Sequence, residues 1–284
     1  MKKIIVGLLS VVTAVLCCFG FAACGKAEKV KVIEIKLTEE DYVYAVKTGD
    51  TETQNALNSF LAEIKDNGTF DNIVKEFFDG TSTFEYSNPS SKDGCLVIAT
   101  SADFPPFEYK KGDKFTGIDM QVAKLFAESL GKQLYIEDIG FDQVILSMGQ
   151  ATSEYKIGMA GITYDEERDK SMDFSNAYYT SAQVIIVKEG DTIFDGCTTK
   201  EDVERILKEQ KSSYKIGTQK GTTGYMYSAG DEGFGYEGFK NLETKIYDAG
   251  ALAVKDLSNG KINAVIIDEQ PAKMITASTN ANIK

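Results

Sequence analysis

The chain has 284 residues, 43% hydrophobic and 26% charged, enough for one sizeable domain or two small ones. Its formal net charge of −12 speaks against a nucleic-acid partner, because phosphate binding wants a basic face. Histidine is absent and none of the five cysteines forms a CxxC pair, so a metal site is not expected.

Residues 1–24 (MKKIIVGLLSVVTAVLCCFGFAAC) set two lysines before an apolar run and small residues before a cysteine, in the manner of a secretory leader. A transmembrane helix is the competing reading, since about 20 apolar residues suffice to span a bilayer. Ala22-Ala23-Cys24-Gly25 is similar to a bacterial lipobox, with Cys24 the lipidated residue and mature N-terminus. Phe21 departs from that pattern, and Cys17 and Cys18 are rival positions. Such an anchor would tether the protein to the outer face of the cell membrane.

Val30–Leu37 alternates apolar and charged residues as a half-buried strand, and Tyr42–Lys47 is a second strand ending in a turn. Asp50 or Thr51 then caps a helix to about Ile64, with Ala56, Leu57, Phe60, Leu61 and Ile64 on one face. A second helix ends near Phe78, and TSTFEYSNPSSKDG reads as a linker. Strands are expected at Leu96–Thr100, Leu134–Ile136, Ile157–Ala160, Gln183–Lys188, Lys215–Thr218 and Ala264–Ile267. Helices are expected at Asp119–Leu130, Phe141–Met148, Lys200–Gln210, Thr222–Ala229 and from Gly250 to Leu257. This alternation indicates α/β architecture with mostly parallel sheets. Cys95 and Cys197 are candidates for a disulfide, with nothing in their spacing to argue for one.

Six blocks in order, from LVIATSADFPPFEY through FTGIDMQVAKLFAESLGKQL, GFDQVILSMGQ, GMAGITYDEERDKSMDFSNAYYTSAQVIIVK and IGTQKGTTGYMY to LSNGKINAVIIDEQPA, carry a family resemblance. The stretch from Leu96 to about Met274 resembles the bacterial extracellular solute-binding proteins, family 3, the capture subunits of ABC importers. The resemblance implies a type II periplasmic-binding-protein-like fold: two lobes and a two-strand hinge, here near Tyr179–Val187 and Ile262–Asp268. In that family the chain continues past the block resembling AVIIDEQPA through a strand, a Lys-Gly-Asp turn and two helices. Here the chain ends at NANIK, and the matching continuation stands at 30–78. A circular permutation is therefore expected, with 81–93 as the new joint. Lobe 1 would gather 30–80, 94–184 and 271–284, and lobe 2 would span 185–270. A separate dimerisation or anchor module over 30–78 is the alternative. In a permuted chain that segment should lie against Leu96–Ile98 and Val122–Phe126.

The resemblance implies a clamp for a free amino acid, with no cofactor, a monomer, and an ABC permease as partner. Arg168 matches the arginine that grips the ligand carboxylate with a forked pair of N–H groups; a surface arginine is the bland alternative. Thr163 matches a ligand-bonding hydroxyl, and Gly161 lets the backbone approach closely. Asp268 matches the acid that takes the ammonium, with Glu269 its rival. Phe104 and Phe141 match aromatic walls, although Phe141 is equally readable as core. GTQKGTTG lacks the ending of a nucleotide loop; its Thr222 and Thr223 match the second lobe's side of the clamp, with Gln219 near the same mouth. Ser101 stands where some family members carry an acid, with Asp103 and Glu108 nearby. An uncharged polar or a basic L-amino acid is the expected ligand. A cleft enzyme resembling cyclohexadienyl dehydratases and a sensing module are the competing functions.

Overall fold

The computed structural model describes residues 27–283, so the leader expected over 1–24, with Cys24 and its rivals, lies outside the described residues. The chain first forms β1 (Val30–Ile33), β2 (Glu40–Val46), α1 (Thr51–Asp66) and α2 (Thr69–Phe78). Asp50 caps α1 by accepting the Thr53 N–H. There follow β3 (Leu96–Thr100), the hairpin strands β4 (Asp103–Phe104), β5 (Glu108–Lys111) and β6 (Lys114–Thr116), then α3 (Ile118–Ser129) and β7 (Leu134–Asp138). Next come α4 (Phe141–Met148), β8 (Ile157–Thr163), α5 (Glu166–Asp169), β9 (Asp173–Phe174) and β10 (Tyr179–Ser181). The last third holds β11 (Gln183–Lys188), α6 (Lys200–Glu209), β12 (Lys215–Gln219), α7 (Thr223–Ala229), β13 (Glu243–Tyr247), α8 (Gly250–Ser258), β14 (Ala264–Asp268) and α9 (Glu269–Ala281).

One sheet runs β10-β2-β8-β3-β7, with β9 also paired to β2; the other runs β1-β11-β14-β12-β13. Neither is mostly parallel, which corrects that expectation. β2 lies antiparallel to β10 and β8, and β11 antiparallel to β1 and β14; the other main-path pairs are parallel. The reason is connectivity. A parallel neighbour needs a crossover connection, whereas β2 and β11 are entered directly from the opposite sheet.

Two passages therefore join the sheets: residues 33–40, between β1 and β2, and residues 181–183, between β10 and β11. They touch each other, the Leu37 N–H donating to the Gln183 carbonyl at 2.8 Å and the Gln183 N–H to Thr38 Oγ1 at 2.8 Å. The hinge expected at Tyr179–Val187 is one of these passages. The expected partner at Ile262–Asp268 is not: β14 stays within the second sheet. After it, α9 packs on α8, β1 and β11, burying Pro271, Ala272 and Ile275 there. Residues 271–281 and 30–33 thus sit with lobe 2, contrary to their expected place in lobe 1. The apolar faces of α8 and β11 would otherwise be left uncovered.

The rest of the early segment does join lobe 1. α1 and α2 pack on α3, where the Phe60 and Phe126 rings lie 5.3 Å apart. Leu61 and Ile73 share one apolar core with Leu96, Ile98 and Val122, as expected for this segment. The 81–93 stretch is laid along the hairpin and β7. Tyr86 pairs with Phe115 through backbone bonds of 2.8 Å, and Asn88 both donates to the Ile136 carbonyl and accepts its N–H at 2.8 Å. Among the described residues Cys95 and Cys197 are both free. Among the described residues no helix is long and apolar enough to cross a membrane.

Candidate functional site

Ser101 follows β3, Thr163 ends β8, Gln219 ends β12 and Asp268 ends β14, and all four line one cleft. That is where open α/β sheets place ligands, beyond the carboxyl ends of their strands. The cleft holds about 310 Å³ of empty space, mouth included, and its lining adds Asp103, Phe104, Glu108, Phe141, Ala160, Gly161, Thr222 and Thr223. Eight of the nine residues expected at the site are therefore gathered around it.

Arg168 is the ninth, and it stands beside the cleft rather than in its lining. The surface reading fails, since the side chain is only 5% exposed. Nη1 donates to the Thr163 carbonyl at 2.7 Å, and Nη2 reaches across the lobes to the Gly221 carbonyl at 3.1 Å. The guanidinium lies near two rings, 5.8 Å from the Phe141 centroid and 5.2 Å from that of Phe234. Burial brings its pKa down to about 10, against the opposing pull of Asp165, Glu40 and Asp268. An arginine at that value remains charged at neutral pH.

Asp268 is buried at the start of α9 and accepts a hydrogen bond from Tyr42 Oη at 2.5 Å. Burial, then the neighbouring Glu40 charge, pushes its carboxyl up to about 7. The rival Glu269 turns outward to Lys273, at 2.7 Å, and Lys36, so of the two it is Asp268 that lines the cleft.

Glu40 escaped the sequence reading because TEED looks like a solvated acidic run. In the fold it is 3% exposed, and its Oε2 accepts from Thr163 Oγ1 at 2.7 Å and Gln183 Nε2 at 3.3 Å. The Thr163 hydroxyl proton is thus engaged, and its oxygen is left to accept.

Gly161 is confined to glycine, with φ of +53° and the Phe104 Cε1 atom 2.7 Å from where a Cβ would lie. Its N–H donates to Asp119 Oδ2 at 3.3 Å, and Tyr44 and Tyr178 donate to the same carboxylate at 3.2 and 3.0 Å. Burial lifts Asp119 to about 6 despite these donors. Glu108 is fully buried, and neither of its carboxyl oxygens has a hydrogen-bond partner among the described residues. Burial, then the charge of Asp119, raises it well above the usual carboxylate range. Asp103, pushed up to about 6 by burial, accepts from Gln219 Nε2 at 3.3 Å across the lobes.

On the second lobe Thr222 is occupied by structure: it caps α7 by accepting the Tyr225 N–H, and its hydroxyl donates to the Gln219 carbonyl at 2.9 Å. Thr223 Oγ1 is buried without a partner among the described residues, which makes it the available hydroxyl of that pair.

Two mixed sheets, two touching passages and a cleft at the strand ends define the two-lobed, type II periplasmic-binding-protein class of fold. Residues 96–268 match the family described as bacterial extracellular solute-binding proteins, family 3, and the chain belongs to that family. It is 30% identical over 186 residues to the arginine-binding extracellular protein ArtP of Bacillus subtilis, covering 64% of this chain and 65% of that protein, just under two thirds. Among solved structures, the arginine-bound form of truncated ArgBP from T. maritima is similar, with a TM-score of 0.55 and 29% identity over 66% of this chain and 80% of that one. The ancestral amino acid-binding protein AncCDT-1, a precursor of cyclohexadienyl dehydratase, matches with the same score and identity, over 66% and 76%.

Proposed function

We propose that this protein captures a free L-amino acid with a cationic side chain by closing its two lobes, and delivers it to an ABC importer permease. The observation that carries this reading is a buried guanidinium, Arg168, and a buried carboxyl, Asp268, flanking one cleft walled by Phe104 and Phe141. A zwitterion offers the complementary pair. The Arg168 fork takes the carboxylate, while Asp268 and the Thr163 oxygen take the ammonium. Asp103 and Glu108 add two further carboxyl groups to the lining beside Phe104, where Asp103 offers a cationic side chain charge and Phe104 offers it ring contact. The arginine-binding relative supports the same choice. Closure follows from differential affinity, since only the closed form lets both lobes touch the ligand.

The leader-like residues 1–24 and Cys24 support an extracytoplasmic, lipid-anchored protein. Titration calorimetry with the twenty amino acids tests the reading: saturable binding of a basic amino acid is expected, with no turnover. Silence across the panel would overturn it. Consumption of prephenate or arogenate would favour the cleft enzyme, the competing use of the same fold.

The order of the chain supports a circular permutation. The family match begins at 96 and leaves 30–78 outside it, yet β2, α1 and α2 complete the first lobe. The end of α9 lies against the start of β1, where Asn280 binds Val30. Joining those ends restores the family's usual order, with 81–93 as the added connection.

A further inference from the structure

We propose that Phe234, carried on a lobe-2 loop, is a positioning residue that holds the Arg168 guanidinium in its carboxylate-gripping orientation only when the lobes are closed. The inference rests on Arg168 being the carboxylate grip. The Phe141 ring on lobe 1 lies 5.8 Å from the guanidinium, and the Phe234 ring, from the loop between α7 and β13, lies 5.2 Å from it. Planar guanidinium stacks well on aromatic faces. With the lobes apart, the Phe234 contact is lost and the long side chain regains rotamer freedom.

The loop is built to deliver that ring. Asp231 and Tyr236 pair through backbone bonds of 2.8 and 2.9 Å. Asp231 Oδ1 accepts the N–H groups of Gly233 and Phe234, at 2.9 and 3.3 Å. Tyr236 packs edge-on against Tyr227 of α7, with ring centroids 5.4 Å apart. The loop also touches lobe 1 directly: a Cβ on Gly233 would lie 2.6 Å from Glu167 Cγ, one residue before Arg168. Arg168 gives two of its donors to carbonyls, one on each lobe. Its other three N–H groups have no partner among the described residues.

Calorimetric titration with L-arginine and with L-argininamide, which lacks the carboxylate, separates positioning from wall-building. Phe234→Ala is expected to weaken L-arginine about tenfold, the scale of one lost cation–π contact, and to leave L-argininamide unchanged. Phe234→Tyr should restore L-arginine binding, and Phe234→Leu, which keeps the apolar bulk, should not. Equal loss for both probes, or no loss for either, overturns the inference. Undiminished L-arginine binding by Arg168→Ala, or none by the unaltered protein, overturns the underlying site and this inference with it. A loss confined to Arg168→Ala leaves the site standing and removes Phe234 from it.

Discussion

The side-chain amide of Asn280 accepts the Val30 N–H at 2.9 Å and donates to the Val30 carbonyl at 2.8 Å, across 250 residues of chain. One side chain therefore occupies both backbone groups of a residue at the opposite end of the described sequence. The two ends of the fold are neighbours, which is the geometric requirement for moving a segment from one end to the other.

A rejoined chain is the direct test of that history. Linking residue 283 to residue 29 through a short bridge, and opening the chain within 81–93, should give a protein with ligand affinity within about threefold of the original. The closing loop is short and its entropy changes slowly with length. Calorimetry on both forms checks this. A rejoined protein that folds but does not bind would show that the present order is needed for the site.

Arg168→Lys should lose most of the binding, by about 2–3 kcal/mol, although charge is conserved. An ammonium cannot bond two carbonyls and a carboxylate with a planar fork, nor offer Phe141 and Phe234 a planar face. Circular dichroism should show the fold unchanged while titration shows the loss.

Binding should strengthen as pH rises from about 5 to about 7. Asp268, raised to about 7 by burial, must be ionised to hold an ammonium. Ligand then draws its pKa back down, so binding releases a proton in that window. Titration in two buffers of different ionisation enthalpy detects the release. The ligand-free fold should behave in the opposite sense. Asp268, Asp119 and Asp103 bind protons more tightly folded than unfolded, so stability falls as pH rises from about 4 through about 7. Thermal melts at pH 5 and pH 8 without ligand test that part.

Gly161→Ala should cost about 1–3 kcal/mol of stability, because a side chain at its positive φ is strained. The added methyl also displaces Phe104, so affinity should fall with stability. Unaltered affinity would mean that Phe104 is not a wall of the ligand site.

Much of this fold is written locally. Phe141–Met148, Leu96–Thr100 and Gln183–Lys188 have the ends their apolar patterns predict, because each pattern is short and local. The hairpin at 103–116 is not visible, since strands of two to four residues are too short to display alternation. α9 is hidden for another reason: EQPAKMITASTNA buries only one side and carries Pro271 in its first turn. Among the expected site residues, eight line the cleft and Arg168 stands beside it. Glu40, Tyr42, Asp119 and Phe234 were missed because their places are set by contacts between distant segments. Tyr42 meets Asp268 across the hinge, and Phe234 meets Arg168 across the cleft. No local pattern records either meeting.

The 81–93 connection does more than span a gap. Asn88 takes both backbone groups of Ile136 on β7, an outermost strand, just as Asn280 takes those of Val30 on β1, the outermost strand of the other sheet. Each amide imitates a passing strand and blocks the rung that a neighbouring molecule would need for strand-to-strand association. Both of these sheet margins are thereby shielded, at one rung each, from pairing with a neighbouring molecule.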